Sequence, residues 1–180
     1  RALNTGRYDT GQVTPTMSPS MDIQVSSNFE RLLFDLYDRN GEDVKRAMQQ
    51  LGQSGGFGID AKALEKARSC FAADRADEAT TSAMLAESFA ETGTLVDPHT
   101  AVGLAVAKAH RGDLSVPMVT LATAHPAKFP SPVEAACGIS PALPQRMMDI
   151  FEREERLHNL PNDLTAVEDF IRARSRADVK

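Results

Sequence analysis

The chain has 180 residues, of which 42% are hydrophobic and 25% charged, and its formal net charge is -5 at pH 7. This length and composition are typical of one globular domain or of part of a larger one. The negative charge and the absence of a basic stripe argue against a nucleic-acid-binding protein. No apolar stretch reaches the length of a membrane span, so we expect no membrane partner.

Cysteine content and the first residues bear on compartment and completeness. Cys70 and Cys137 lie far apart and have no metal-ligand spacing. No secretory signal is visible, so we expect two reduced thiols in a cytoplasmic protein. The chain begins at Arg1 rather than at a methionine, in a sequence typical of the interior of a protein. We therefore expect a fragment of a longer protein.

The first third of the chain predicts loops and helices. Residues 1–24 are rich in Gly, Pro, Ser and Thr, which favours loops and at most a short strand at Gln12–Met17. Apolar residues at helical spacing predict a helix capped by Ser27 and a second over Glu42–Leu51. The stretch Gly52–Gly58 follows a helix rather than a strand, so we expect a flexible connection instead of a phosphate-binding loop.

The middle of the chain predicts a β-α-β unit. A possible strand at Ser69–Ala73 precedes a helix that ends before Gly93. A short extended piece at Leu95–Val96 is followed by a buried, Ala-rich helix over Pro98–His110. The apolar run at the start of Val116–Phe129 then predicts a buried strand. This order implies parallel pairing of the two extended pieces.

Polar side chains at the end of that strand are candidate ligand-binding groups. In open α/β sheets ligands bind at the carboxyl ends of strands, where Thr123, His125 and Lys128 would lie. A hydroxyl beside a histidine and a lysine suits a heteroaromatic nitrogen or an anion. The alternative is a plain surface turn in which the backbone satisfies His125. Asp97 either caps its helix or faces the same crevice.

The last third predicts short helices and no metal site. Helices are expected over Val133–Cys137, Gln145–Arg156 and Leu164–Ile171, followed by a solvated tail. The histidines form neither a helical pair nor a cluster with cysteine, which argues against a bound metal. These histidines are His99, His110, His125 and His158.

Five stretches together resemble the C-terminal part of threonine synthases. They occur in the order found in that family and cover nearly the whole chain. The most specific is Thr123–Pro130, with the sequence Thr-Ala-His-Pro-Ala-Lys-Phe-Pro. The other four are Ser18–Ile23, Ser26–Arg31, Asp97–Gly103 and His158–Asp163.

The resemblance implies an α/β fold and an activity. The expected fold is the helix-rich C-terminal part of a fold-type-II pyridoxal-phosphate enzyme, with parallel strands flanked by helices. Residues 1–180 would form the C-terminal segment of the large cofactor-binding domain, with residues 130–180 as a helical extension. The implied reaction converts O-phospho-L-homoserine and water to L-threonine and phosphate.

The resemblance also implies roles for individual residues. Thr123 stands where the family places the hydroxyl that faces the pyridine nitrogen of the cofactor. Such a hydroxyl tunes the electron demand of the ring. The implied cofactor contacts are Thr123, Asp97 and His125, and the implied substrate contacts are Lys128, Asn28 and Arg31.

Two parts of the family's active site have no match in this sequence. No lysine lies in the Phe-Lys-Asp context of the Schiff-base lysine, and the family's phosphate-binding loop is absent. We therefore expect no catalytic residue in this segment, a missing N-terminal half of the same protein as its partner, and no activity of the chain alone. The alternative is a non-catalytic α/β binding or interaction module that keeps the fold without the chemistry.

Overall fold

The structure is a computed structural model that describes residues 2–176. The chain divides between Ala142 and Leu143 into two compact units. Within the described residues, every helix is too short or too polar to cross a lipid bilayer.

The first unit is mainly helical. Its elements are α1 (Ala2–Thr5), β1 (Arg7–Asp9), α2 (Phe29–Leu36), α3 (Gly41–Ser54), β2 (Gly56–Gly58), α4 (Ala61–Cys70), α5 (Glu78–Thr92), α6 (Pro98–His110) and α7 (Pro130–Cys137). Single 3-10 turns lie at Pro19–Met21 and Pro126–Lys128. The predicted helix before Gly93 and the predicted helix Pro98–His110 are both confirmed.

The two short strands anchor the N-terminal loop. β1 and β2 pair antiparallel, with Tyr8 opposite Phe57. The Tyr8 ring stacks on Phe57 at a centroid distance of 5.3 Å and on Phe29 at 5.4 Å. Its hydroxyl donates to the carbonyl of Gln24 (2.9 Å) and accepts from the N–H of Ser26 (2.7 Å). A single half-buried tyrosine therefore joins the sheet to the loop that precedes α2.

A hydrophobic core forms between α2, α3, β2 and α4. Leu33 and Phe57 are fully buried at its centre. Full burial of a large apolar side chain stabilises the fold by about 1.5–3 kcal/mol. The buried members of this core are Leu33, Leu36, Ala47, Phe57, Ile59, Ala63 and Ala67.

A second layer consists of α5 packed against α6 and α7. Leu85, Ala101 and Val133 are almost fully buried in it. Gly93 ends α5 and Gly138 ends α7, and both adopt the left-handed conformation that favours glycine at a helix C-terminus. This layer contains the start of α6, and the apolar run at residues 116–123 follows α6 in the chain.

The predicted β-α-β unit is not formed within residues 2–176. The helix is present, but the described sheet is the antiparallel β1–β2 pair, and residues 116–123 have no regular structure. Apolar side chains of this run are exposed, including Val119 (77%) and Leu121 (76%). A strand needs a hydrogen-bonded neighbour, and the described part of the chain places none beside this run. Parallel strands are therefore not observed within the described residues, and their formation stays a prediction.

Three local predictions are wrong. The strand expected at Gln12–Met17 is absent, and the N-terminal strand is Arg7–Asp9 instead. Its partner Gly56–Gly58 lies inside the stretch expected to be a flexible connection. A strand forms there because pairing with Arg7–Asp9 overrides the weak strand preference of glycine. The strand expected at Ser69–Ala73 is absent because α4 continues to Cys70.

The second unit contains a 3-10 turn at Gln145–Met147 and the helix α8 (Leu164–Arg174). The carboxylate of Asp163 caps α8 by accepting from the N–H of Ala166 at 2.9 Å. The predicted last helix is thereby confirmed.

The helix predicted over Gln145–Arg156 is wrong beyond its first residues. Its apolar side chains Met148 and Phe151 are 69% and 87% exposed. A helix this short gains most of its stability from burying an apolar face, and these side chains bury none. The role of residues 130–180 as one C-terminal extension stays a prediction.

Candidate functional site

The start of α6 is a buried polar junction. Asp97 Oδ1 accepts from the backbone N–H of His99 at 3.0 Å, which caps the helix. Pro98 occupies the first helical position, where its missing N–H costs nothing. The Asp97 side chain is fully buried, whereas a helix cap is commonly solvated. The helix-cap interpretation of Asp97 is confirmed, and its burial indicates a further role.

His99 is held in one tautomer by two neighbours. Its Nδ1 lies 2.8 Å from Asp97 Oδ1, and the N–H of Ser20 donates to its Nε2 at 3.0 Å. Because a carboxylate only accepts and Nε2 accepts here, the proton is on Nδ1 and the ring is neutral. The ring packs against Phe129 at a centroid distance of 4.6 Å. His99 thus joins the turn at Pro19–Met21 to α6.

Thr100 joins this junction to Thr123. The Thr100 hydroxyl donates to Asp97 Oδ2 and accepts from the backbone N–H of Thr123 at 3.1 Å. Thr100 is buried, whereas Thr123 is exposed. Within residues 2–176 the Thr123 hydroxyl has no hydrogen-bond partner. The junction therefore fixes the backbone of Thr123 and leaves its hydroxyl available.

The Asp97 carboxylate is ionised at neutral pH. Burial raises the pKa of Asp97, but hydrogen bonds from the Thr100 hydroxyl and from the ring and backbone N–H of His99 lower it, and the resulting pKa is below its usual value. The negative charge also lies at a helix N-terminus, where the helix dipole favours it.

A cleft of about 410 Å³ lies beside the junction. His99 and Thr123 line it together with Met21, Val106 and Leu121. Its walls are therefore mostly apolar, and its polar side chains are two histidines, His99 and His110, and two threonines, Thr120 and Thr123. A larger cleft of about 580 Å³ lies at α3 and α4, and none of the predicted site residues lines it.

His125 and Lys128 follow Thr123 at the 3-10 turn. His125 Nδ1 accepts from the N–H of Ala127 at 3.2 Å, and the Lys128 ammonium group lies 5.7 Å from the Phe129 ring centroid. Both side chains are exposed, and neither lines the cleft. Their cofactor and substrate roles stay predictions.

Asn28 and Arg31 form a separate pair at the start of α2. Arg31 Nη2 donates to Asn28 Oδ1 at 2.8 Å, and both side chains are exposed. Arg31 lines a different cleft beside Phe34 and Val44. The described contacts do not join this pair to Thr123. Within residues 2–176 no three His, Cys, Asp or Glu side chains are grouped to hold a metal ion.

His99 follows Asp97 closely in the sequence, which predicts that both lie near the same crevice, but the sequence does not single out Thr100. Thr100 lies three residues after the capping Asp97, a position from which a side chain reaches back to the cap. That spacing indicates a local contact, but the bond to Thr123 spans 23 residues and has no local signal.

Sequence comparisons identify relatives of the whole chain. Residues 100–171 match the family described as "Threonine synthase, C-terminal". Threonine synthase from Pseudomonas aeruginosa is 47% identical over 172 residues, which are 95% of this chain and 37% of that protein. Threonine synthase from Corynebacterium glutamicum is 38% identical over 159 residues, covering 87% of this chain and 33% of that protein. The chain thus spans about a third of the length of these relatives.

Solved structures of threonine synthases are also similar to this chain. A PLP-bound threonine synthase from Brucella melitensis matches with a TM-score of 0.82 and 48% identity, covering 98% of this chain and 38% of that one. The yeast threonine synthase matches with a TM-score of 0.79 and 31% identity, covering 96% of this chain and 39% of that one. Over nearly its whole length, the chain is therefore similar to the C-terminal part of threonine synthases.

Proposed function

We propose that this chain is the C-terminal segment of a pyridoxal-phosphate-dependent threonine synthase, a lyase of threonine biosynthesis. The intact protein would convert O-phospho-L-homoserine and water to L-threonine and phosphate. The relatives' names and the cofactor-bound Brucella protein support this proposal. In it, the segment provides one wall of the cofactor pocket, and the N-terminal half provides the Schiff-base lysine and the phosphate-binding loop.

The observation that carries the proposal is the free hydroxyl of Thr123 in a mostly apolar cleft. A pyridine ring offers two faces for apolar contact and one nitrogen that accepts a hydrogen bond. The cleft offers Met21, Val106 and Leu121 as apolar wall. The Thr123 hydroxyl has no partner in residues 2–176, so it is free to donate to a ring nitrogen. The residues present therefore fit the ring.

Thr123 would act by the proton it donates. Pyridoxal phosphate, when bound, supplies an electron sink for reactions at the carbon atoms of an amino-acid substrate. A threonine hydroxyl donates to an unprotonated nitrogen and keeps it neutral, whereas a carboxylate at the same place would hold it protonated. Thr123 would thus moderate the electron demand of the ring, which favours one reaction outcome over side reactions.

The remaining predicted site residues are proposed as outer contacts. His125 uses Nδ1 to cap its turn, which leaves Nε2 available to a ligand. Lys128 is an exposed cation that would attract the anionic cofactor or substrate. Asn28 and Arg31 would approach the substrate only if the N-terminal half brings it to the start of α2.

The N-terminal half is also proposed as the cover of the exposed apolar run. Residues 114–121 contain five large apolar side chains between 48% and 77% exposed. Such a run is an aggregation hazard when bare. Pairing with a strand of the N-terminal half would bury it. The side chains are Leu114, Val116, Met118, Val119 and Leu121.

The test uses the intact protein with Thr123→Val, Thr123→Ser and Thr123→Asp. Val keeps the shape and removes the donor, Ser keeps the donor, and Asp adds a charge. We expect Ser to retain the cofactor absorbance, and Val and Asp to shift it, with Asp diverting substrate to elimination products. Unchanged spectra and product ratios in all three variants would contradict the role of Thr123. Absence of cofactor binding by the unmodified intact protein would instead favour a non-catalytic binding module.

A further inference from the structure

One hydrogen bond joins the backbone of residues 117–124 to the rest of the described chain. Within residues 2–176, it is the bond from the Thr123 N–H to Thr100 Oγ1. The segment has no regular structure. It also approaches α6 at Gly103, where an added Cβ would lie 3.1 Å from the Thr120 methyl group. The position of Thr123 therefore depends on Thr100.

Thr100 is in turn oriented by Asp97. The hydroxyl has one proton, which it donates to Asp97 Oδ2, so its lone pairs face the Thr123 N–H. Consecutive hydrogen bonds that end on a buried carboxylate strengthen one another. If Asp97 were removed, the Thr100 hydroxyl would be free to rotate and to present its proton elsewhere. The orientation of Thr100 is thus set by a residue that does not itself touch Thr123.

Asp97 is immobilised by the same network. His99 contacts Oδ1 through its backbone N–H and its ring, and the ring is held from the other side by Ser20. Oδ2 is occupied by Thr100. Neither Asp97 nor Thr100 lines the cleft that contains Thr123. Both are therefore placed to act on the cleft through the Thr123 backbone.

We propose that Asp97 and Thr100 are positioning residues that fix the Thr123 hydroxyl for the cofactor ring without touching the cofactor. This inference rests on the proposed function. Asp97, which the resemblance implies as a cofactor contact, would instead hold Thr123, the residue that makes the contact. Because the link runs through one hydroxyl, its loss alone should release Thr123 while α6 keeps its Asp97 cap.

The experiment compares Thr100→Val, Thr100→Ser and the control Thr80→Val in the intact protein. Val removes the hydroxyl at nearly constant volume, and Ser retains it. Thr80 follows the capping Asp77 by the same three residues at the start of α5. Hydrogen exchange of the Thr123 amide is measured in the apoprotein, and the cofactor absorbance in the loaded protein.

We expect Thr100→Val to accelerate exchange of the Thr123 amide by about tenfold or more and to shift the cofactor absorbance. Thr100→Ser should keep both close to the unmodified protein, and Thr80→Val should change neither. Unchanged exchange in Thr100→Val, or faster exchange with an unchanged spectrum, would overturn the proposal. A Ser variant as impaired as Val would also overturn it.

A second variant covers failure of Thr100→Val to fold. Asp97→Asn keeps an oxygen to cap α6 and alters the acceptor of the Thr100 hydroxyl, so it should show the same two changes to a smaller extent. Unchanged exchange and spectrum in that variant would overturn the proposal. The proposed function fails separately, because it predicts a changed spectrum for Thr123→Val whatever the exchange data for Thr100 show.

Discussion

Helices α5 and α6 begin with the same local sequence pattern and perform different tasks. Each starts with a capping aspartate followed three residues later by a threonine, Asp77 with Thr80 and Asp97 with Thr100. In α5 the aspartate is exposed and accepts from the Thr80 backbone N–H at 2.8 Å. In α6 the aspartate is fully buried, and both of its oxygens are occupied.

The difference shows that burial and neighbours give the same motif a different role. The pKa of Asp77 is lowered mainly by hydrogen bonds from Thr80. For Asp97, burial is the largest single effect and raises the pKa, but the hydrogen bonds from Thr100 and His99 together outweigh it and the pKa is lowered. The Asp77 carboxylate accepts from a backbone N–H of its own helix. The α6 start also holds His99, the turn at Pro19–Met21 and the backbone of Thr123.

The largest expected effect comes from replacing each capping aspartate by alanine. Asp77→Ala should destabilise α5 only by the loss of an exposed cap. Asp97→Ala loses its cap and also leaves buried groups of His99 and Thr100 unsatisfied, so it should cost about 3 kcal/mol or more. Urea denaturation of the intact protein, with hydrogen exchange of α5 and α6, measures both. Equal losses for the two variants would break the comparison.

The next largest expected effect is a different response of the two capping aspartates to acid. The folded-state pKa of Asp97 is lowered, so its stabilising contribution is fully present above the unfolded pKa of about 3.9 and is lost as the pH falls through the lower folded value. Asp97→Asn should remove that part of the acid dependence. Because the Asp97 carboxylate is buried, its contribution to stability should persist in 1 M salt. The contribution of the exposed Asp77 carboxylate should be screened. Denaturation curves between pH 7 and pH 2 at two salt concentrations test this.

The smallest expected effect is at the second approach between α6 and the segment after it. Gly103→Ala places a Cβ 3.1 Å from the Thr120 methyl group, and the irregular segment can shift by the few tenths of an ångström required. Alanine also favours the helix by up to about 1 kcal/mol. Net stability should change by less than about 1 kcal/mol, and the Thr123 amide should stay protected. Loss of that protection would show that the segment depends on Gly103 as well as on Thr100.

Local signals in the sequence were sufficient for the start of α6 and for the ends of α5 and α7. Asp97 with Pro98 marks the start of α6, and Gly93 and Gly138 mark the ends of α5 and α7. They were insufficient for strands, because pairing is non-local. Gly56–Gly58 forms a strand only through Arg7–Asp9, while residues 116–123 have the composition of a strand and no described partner.

The candidate site was predictable only in part, because some of its contacts are local in sequence and others join distant segments. Thr123 and Asp97 were both expected near one crevice, and the network through Thr100 does join them. The contacts that make the connection were not expected, because His99 and Thr100 form them only when Ser20 and Thr123 are brought to them. A helix cap has a local signal, whereas a junction between distant segments has none.

The most direct test of the central claim is the reaction of the intact protein with O-phospho-L-homoserine and pyridoxal phosphate. The measurement is the release of L-threonine and phosphate, with the isolated 180-residue chain as the matched control. We predict equal amounts of the two products from the intact protein and none from the isolated chain. Threonine formation by the isolated chain, or none by the intact protein, would contradict the account.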